Sequence, residues 1–201
     1  MTPQLQKTWL IWTAIAGVLL MSGCTQTYKL KAPTFTDYPE QREHPLTIAL
    51  LLDEEYSSYV CEVPRRMYRV PLGDALEKNS IFIAEQTFEE VHMVRGSEAE
   101  IPPDARAVLT PKVIYGNMSK GVSAFDRLEF VIDVEWTLKD RRGNMIWLKT
   151  MRGKARNAGG TIGTIKSQAG KRIRAALKEL FAKTHQAIAA SPEIRAFAES
   201  Q

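Results

Sequence analysis

The sequence predicts an α+β fold, a two-layer sandwich in which two main helices pack on one face of a mostly antiparallel sheet. Three stretches of the chain indicate this class. Apolar and polar residues alternate over 128–138, as in a strand with one buried face. Over 71–91 and again over 165–188, apolar residues recur every three or four positions, as in amphipathic helices.

Other strands are predicted beside the alternating one. Residues 46–52 form a continuous apolar run that stops at Asp53, which indicates a central strand buried on both faces. Residues 128–138 lead through a short turn into 145–155, so these two segments form a hairpin. Two short segments rich in Tyr and Val within 56–70 are predicted to form a second hairpin, at a sheet edge.

The remaining elements are recognised by their ends as well as by their pattern. Pro71 suits the first turn of the first long helix, and Ser191 followed by proline caps a last short helix. Residues 91–95 and 107–118 have the length and composition of strands. These elements connect into one α+β domain, predicted over 46–201.

Composition limits the classes of protein. With 201 residues, the chain is long enough for one domain of ordinary size. Its 44% hydrophobic and 25% charged residues are typical of a folded globular protein. A formal net charge of +4 is too small to indicate a nucleic-acid partner, and none is expected.

The first residues have the pattern of a cleaved export signal. Lys7 and the amino terminus supply positive charge, and an uncharged apolar run of 13 residues follows from Trp9 to Met21. A helix that crosses a bilayer needs about 20 apolar residues, so this run is too short to span one. Residues 1–23 are therefore predicted to be a signal peptide.

The residues at the end of this segment, Met21-Ser22-Gly23-Cys24, resemble the lipobox of bacterial lipoproteins, with Met21 in the place where leucine is usual. The resemblance implies that Cys24 is the lipid attachment site and that its acyl chains anchor the protein to a membrane on the periplasmic side. Thr25 follows where many lipoproteins of the inner membrane carry aspartate. The outer membrane is therefore favoured, with the inner membrane as the alternative.

The segment between Cys24 and the domain is predicted to be a linker over 24–45. It is polar, is interrupted by Pro33, Pro39 and Pro45, and keeps no regular period. A fully extended linker of this length would hold the domain several tens of ångströms from the bilayer.

Cys61 is the only other cysteine of the chain. Because Cys24 is taken up by lipid, an internal disulfide is excluded. Two interpretations of Cys61 remain open, a buried core thiol and a disulfide with a partner chain.

The order of elements, together with the hairpin over 134–147, resembles small accessory lipoproteins of the Gram-negative envelope. These include auxiliary lipoproteins of ABC transporters, YajG-like lipoproteins and the small lipopolysaccharide-assembly lipoprotein. The resemblance implies a structural or substrate-handling subunit of a transport or assembly machine. The resemblance implies no catalytic residue, and Cys24 is the only site residue that it identifies.

Motifs for chemistry are absent from the sequence. Three histidines are scattered without a metal-binding spacing, so neither a metal ion nor another cofactor is expected. The acids Asp53, Glu54 and Glu55 follow a strand, where they are either a solvated loop or the acids of a hydrolase. The glycine-containing stretch 159–164 lacks the Gly-Lys-Ser/Thr of a phosphate-binding loop.

Two surfaces are predicted to contact partners. The last long helix has a basic polar face, which is either a solvated helix face or a contact surface for an acidic protein, anionic lipid or lipopolysaccharide. Its basic residues are Lys166, Lys171, Arg172, Arg174, Lys178 and Lys183, of which Lys171, Arg174 and Lys178 are the candidate contact residues. Met145 and Trp147 on the hairpin are either a second contact surface or covered by the domain itself.

These observations lead to one hypothesis and two alternatives. The hypothesis is a non-enzymatic, membrane-anchored periplasmic lipoprotein that serves as an accessory subunit in envelope transport or assembly and binds an envelope protein. The first alternative is a periplasmic hydrolase, which would have a deep pocket near Asp53. The second is a structural lipoprotein that binds peptidoglycan or assembles with itself.

Overall fold

The computed structural model describes residues 26–27, 42–63, 68–96, 99–119, 129–156 and 165–200, which form eight strands and four helices. The predicted signal peptide, Cys24 and most of the predicted linker lie outside these residues. The elements are β1 (Gln26–Thr27), β2 (His44–Leu52), α1 (Glu54–Ser57), β3 (Val60–Val63), β4 (Tyr68–Pro71), α2 (Gly73–Thr87), β5 (Phe88–Arg95), β6 (Ala107–Ser119), β7 (Glu129–Asp140), β8 (Met145–Arg156), α3 (Ile165–Ala189) and α4 (Pro192–Glu199).

The main sheet has five strands in the order β5-β2-β6-β7-β8. Most of its paired residues are antiparallel, in β6–β7 and in the β7–β8 hairpin. Strand β2 is parallel to both of its neighbours, since α2 carries the chain across the sheet before β5 begins. The α+β class is confirmed, and the sheet within it is mixed.

The central strand β2 is buried on both faces, as its apolar run predicts. Ile48 and Leu50 point into the main core beneath the helices. Ala49 points the other way, into a small cluster with Val94 and Ala105. This second cluster exists because the residues leading into β6 cover the outer face of the sheet.

Helices α2 and α3 form the layer on the core face of the sheet. The alternation predicted in β7 is confirmed: Phe130, Ile132, Val134, Trp136 and Leu138 are all buried in the core. Helix α3 lies close to β8 at Gly153, where a side chain would collide with the Ala176 carbonyl oxygen. None of the described helices combines the length and apolar character that a membrane-spanning helix requires.

A second, smaller sheet has the order β1-β4-β3. Its antiparallel hairpin β3–β4 was predicted, but the parallel pairing of β1 with β4 was not. Cys61 of β3 is 1% exposed. Burial raises the pKa of its thiol to about 11, so the thiol is protonated at neutral pH. The core position is therefore the one observed, and a disulfide with another chain would require Cys61 to leave it.

A histidine in α3 makes the stability of the fold depend on pH. Burial lowers the pKa of His185, although the nearby carboxylate of Glu43 acts in the opposite direction. In the unfolded chain the imidazole titrates near pH ~6.5, so below that pH the unfolded state binds the proton more readily. We expect the urea midpoint of unfolding to fall between pH 7 and pH 5. The fall should be smaller in His185→Gln, and an equal fall in both proteins would contradict the assignment.

Candidate partner-binding surface

The basic face predicted on the long helix is present on α3. Lys171, Arg174 and Lys178 are exposed, and their spacing of three and four residues places them on one side of the helix. The prediction is wrong for Arg172, which does not belong to this face, because its side chain is buried and desolvation lowers its pKa. We refer to Lys171, Arg174 and Lys178 as the basic row.

The one acid of α3, Glu179, faces the sheet. Its carboxylate accepts hydrogen bonds from Lys183 Nζ at 2.5 Å and from the backbone N–H of Lys154 in β8 at 3.1 Å. Burial raises the pKa of this carboxyl, but these hydrogen bonds and the charges of Lys183 and Lys154 together lower it by more, so the pKa lies below its ordinary value. Glu179 thus helps to hold α3 on β8.

The two predicted contact residues of the hairpin, Trp147 and Met145, differ in their exposure to solvent. Trp147 pairs with Leu138, and side chains of directly paired residues lie on the same face of a sheet, so both point into the core. Trp147 is accordingly only 6% exposed. Of the two interpretations, the one in which the domain itself covers Trp147 is therefore the one observed. Met145 is 50% exposed and stays available for contact. It lines an open groove of about 380 Å³ between β8 and the start of α4.

The acidic stretch after β2 begins a short helix. Asp53 caps α1, with its Oδ1 accepting from the backbone N–H of Tyr56 at 2.6 Å. The buried hydroxyl of Tyr56 is bonded to Ser80 Oγ at 2.7 Å. The cavity beside Asp53, Glu55 and Tyr59 has a volume of about 10 Å³, room for roughly one water molecule. This cavity is therefore far too small to be the deep pocket that the hydrolase alternative predicts.

A wider cleft of about 710 Å³ lies where β7 turns into β8, with Arg141, Arg142 and Asp140 among its lining residues. The sequence predicts these residues only as the turn of the hairpin. The carboxylate of Asp140 stabilises that turn. Asp140 Oδ1 accepts from the backbone N–H groups of Arg142 and Asn144, both at 2.8 Å. The exposed guanidinium groups make this cleft a second basic area.

A cluster that the sequence did not reveal joins the edge strand β5 to the segment before β6. His92 Nε2 lies 2.7 Å from Asp104 Oδ2 and 3.9 Å from Glu90 Oε1. Two carboxylates and an imidazole are ligand types that Zn²⁺ accepts. The spacing Glu90-x-His92 places two of them on one face of a strand, but no local pattern indicates Asp104. The hydrogen bond from His92 to Asp104 accounts for the cluster without an ion.

Comparison with known proteins identifies a solved structure of similar fold. No family model and no curated protein matches the chain. The structure is similar to that of protein XCC0632 from Xanthomonas campestris, of the family DUF330, with a TM-score of 0.54 and 11% identity over 88% of this chain and 99% of that chain. The similarity shows a shared fold. A minor lipoprotein from Acinetobacter baumannii has a TM-score of 0.48 and 16% identity, over 73% of this chain and 93% of that one.

Proposed function

We propose that this chain is a lipid-anchored periplasmic lipoprotein that acts as a non-catalytic accessory subunit in envelope transport or assembly. The observation that carries the proposal is the basic row, three exposed cations on one side of a long helix. The single acid of that helix, Glu179, is bonded to Lys183 of the helix and to the backbone of β8. Such a surface fits an acidic patch on an envelope protein, because complementary charge steers association and sets its specificity.

The sequence supports the anchor. The lipobox-like residues place a lipidated Cys24 ahead of the domain. Several acyl chains attached at one residue give stable membrane binding, since each buried CH₂ contributes about 0.8 kcal/mol. The basic row is thereby held near the membrane, where a transport or assembly machine would be met.

The experiment is an affinity purification of the full-length protein from detergent-solubilised envelopes. We expect an envelope transport or assembly component in stoichiometric amount. We expect Cys24→Ala to move the protein from the membrane fraction to the soluble periplasmic fraction. The triple variant Lys171→Glu, Arg174→Glu, Lys178→Glu should stay in the membrane but recover at least tenfold less partner, because it reverses the charge of the contact surface.

A matched control reverses three exposed cations elsewhere, Arg42, Lys139 and Arg195, and so changes the net charge by the same amount. Recovery of the partner by this control and its loss with the basic-row variant would support the proposal. Equal loss with both variants would mean that net charge, and not the row, governs binding. If no partner is recovered and the purified protein assembles with itself, the structural alternative takes its place.

A further inference from the structure

The pairing of β1 fixes where the chain leaves the domain. Gln26 and Thr27 are parallel to β4, with Gln26 opposite Tyr68 and Thr27 opposite Arg69. Paired strands lie about 4.8 Å apart, so the backbone at Gln26 is held beside the beginning of β4. The anchor therefore joins the domain at the small sheet and not at His44, where the main sheet begins.

The lipid attachment site lies only two residues before this strand. Two successive Cα–Cα steps span at most about 7.6 Å. Because paired strands lie about 4.8 Å apart, a lipidated Cys24 at the bilayer surface consequently keeps the beginning of β4 within roughly 12 Å of that surface. This distance is much shorter than the several tens of ångströms that a fully extended linker over 24–45 would allow.

Large apolar side chains are exposed next to the small sheet. Strand β6 has an irregularity between Val113 and Tyr115, and there Ile114 and Tyr115 are 49% and 46% exposed. Strand β6 contacts β3, and near this irregularity the hydroxyl of Tyr59, the residue before β3, lies against Gly116. Tyrosine is enriched where proteins meet the membrane–water interface, since its ring is apolar and its hydroxyl is polar.

We propose that the end of the domain formed by β4 and the irregular part of β6 rests on the bilayer surface, with Arg69, Ile114 and Tyr115 among the lipid headgroups. This orientation depends on the lipidation of Cys24 in the proposed function. It leaves the basic row of α3 for the protein partner. The rival orientation turns the basic row itself toward anionic lipid.

The test measures membrane depth at single sites on the full-length lipidated protein, bound to vesicles of phosphatidylethanolamine and phosphatidylglycerol. Nitroxide labels are attached to Arg69→Cys, Tyr115→Cys, Arg142→Cys and Arg174→Cys, all at exposed positions. The native Cys61 is buried and is not labelled in the folded protein. The label at residue 142 is a distant control. Tyr115 pairs with Asp133 of β7, and β7 continues for seven more residues, or about 23 Å, before the turn that contains residue 142.

We expect labels at 69 and 115 to be more accessible to oxygen and at least threefold less accessible to a water-soluble nickel complex than the label at 142. The label at 174 should resemble that at 142. Lipid-like accessibility at 174, or equal accessibility at all four sites on vesicle-bound protein, would overturn the orientation but keep the anchor. Protein that does not float with the vesicles would overturn the anchor, and the orientation with it.

An insertion tests whether the short tether is the cause. Ten Gly and Ser residues placed between Thr25 and Gln26 should keep the protein on the vesicles. They should return the labels at 69 and 115 to the accessibility of the label at 142. Unchanged accessibility in the insertion variant would contradict the role of the tether.

Discussion

Replacing Trp136 with alanine is expected to lower the free energy of unfolding by about 3–5 kcal/mol, because the indole is fully buried and its removal leaves a cavity between the sheet and the helices. Native domains are typically stable by only about 5–15 kcal/mol, so this loss would leave part of the population unfolded. Urea unfolding followed by circular dichroism measures the change without relying on tryptophan fluorescence.

Trp136→Phe is the matched control. Within the part of the chain that the structure describes, the indole N–H of Trp136 has no hydrogen-bond acceptor. Phenylalanine fills much of the same volume and removes this buried donor, which by itself costs about 1–3 kcal/mol when it is unsatisfied. We therefore expect Trp136→Phe to lose much less stability than Trp136→Ala. Comparable losses would show that the cavity is not the main cause.

The second large effect is expected at Gly153, where β8 and α3 pack closely against each other. An added Cβ would lie 2.2 Å from the carbonyl oxygen of Ala176 and 2.8 Å from Leu180 Cβ. Gly153→Ala must push the helix away from the sheet, and we expect a loss of about 1–3 kcal/mol or more. Thermal and urea unfolding of the variant would measure it.

Thr150→Ala on the same strand serves as the control, since Thr150 is exposed and such changes usually alter stability by less than about 0.5 kcal/mol. Because the helix that Gly153→Ala displaces carries the basic row, the variant should also recover less partner. Unchanged stability would contradict the close packing of α3 on β8.

The sequence predicts this fold where a pattern is local. The alternation around Trp136, the apolar run before Asp53 and the period of the long helices each depend only on near neighbours in the chain. The parallel pairing of β5 with β2 is not predicted, because two strands can be recognised without their mutual direction. The face on which Trp147 lies is not predicted either, because it depends on the register with Leu138.

The candidate surface, like the fold, is predicted from the sequence only where it depends on local spacing. The exposure of the basic row follows from helical spacing, but the burial of Arg172 depends on which side of α3 meets the sheet. The approach of Asp104 to His92 and the pairing of Gln26 with Tyr68 join residues far apart in sequence. No single-sequence pattern contains such contacts, because the tertiary fold creates them.

The contacts that Glu179 and Lys183 make with β8 also have a consequence for folding. Strand β8 is the last strand of its sheet. Lys183 Nζ donates a hydrogen bond to the backbone carbonyl of Arg152 at 3.2 Å. Two residues further along, the backbone N–H of Lys154 donates to the carboxylate of Glu179. Unsatisfied backbone groups along a terminal strand are a template on which other chains aggregate. These groups are satisfied only after helix α3 docks on β8. Protection against aggregation is therefore among the last properties that the chain acquires as it folds.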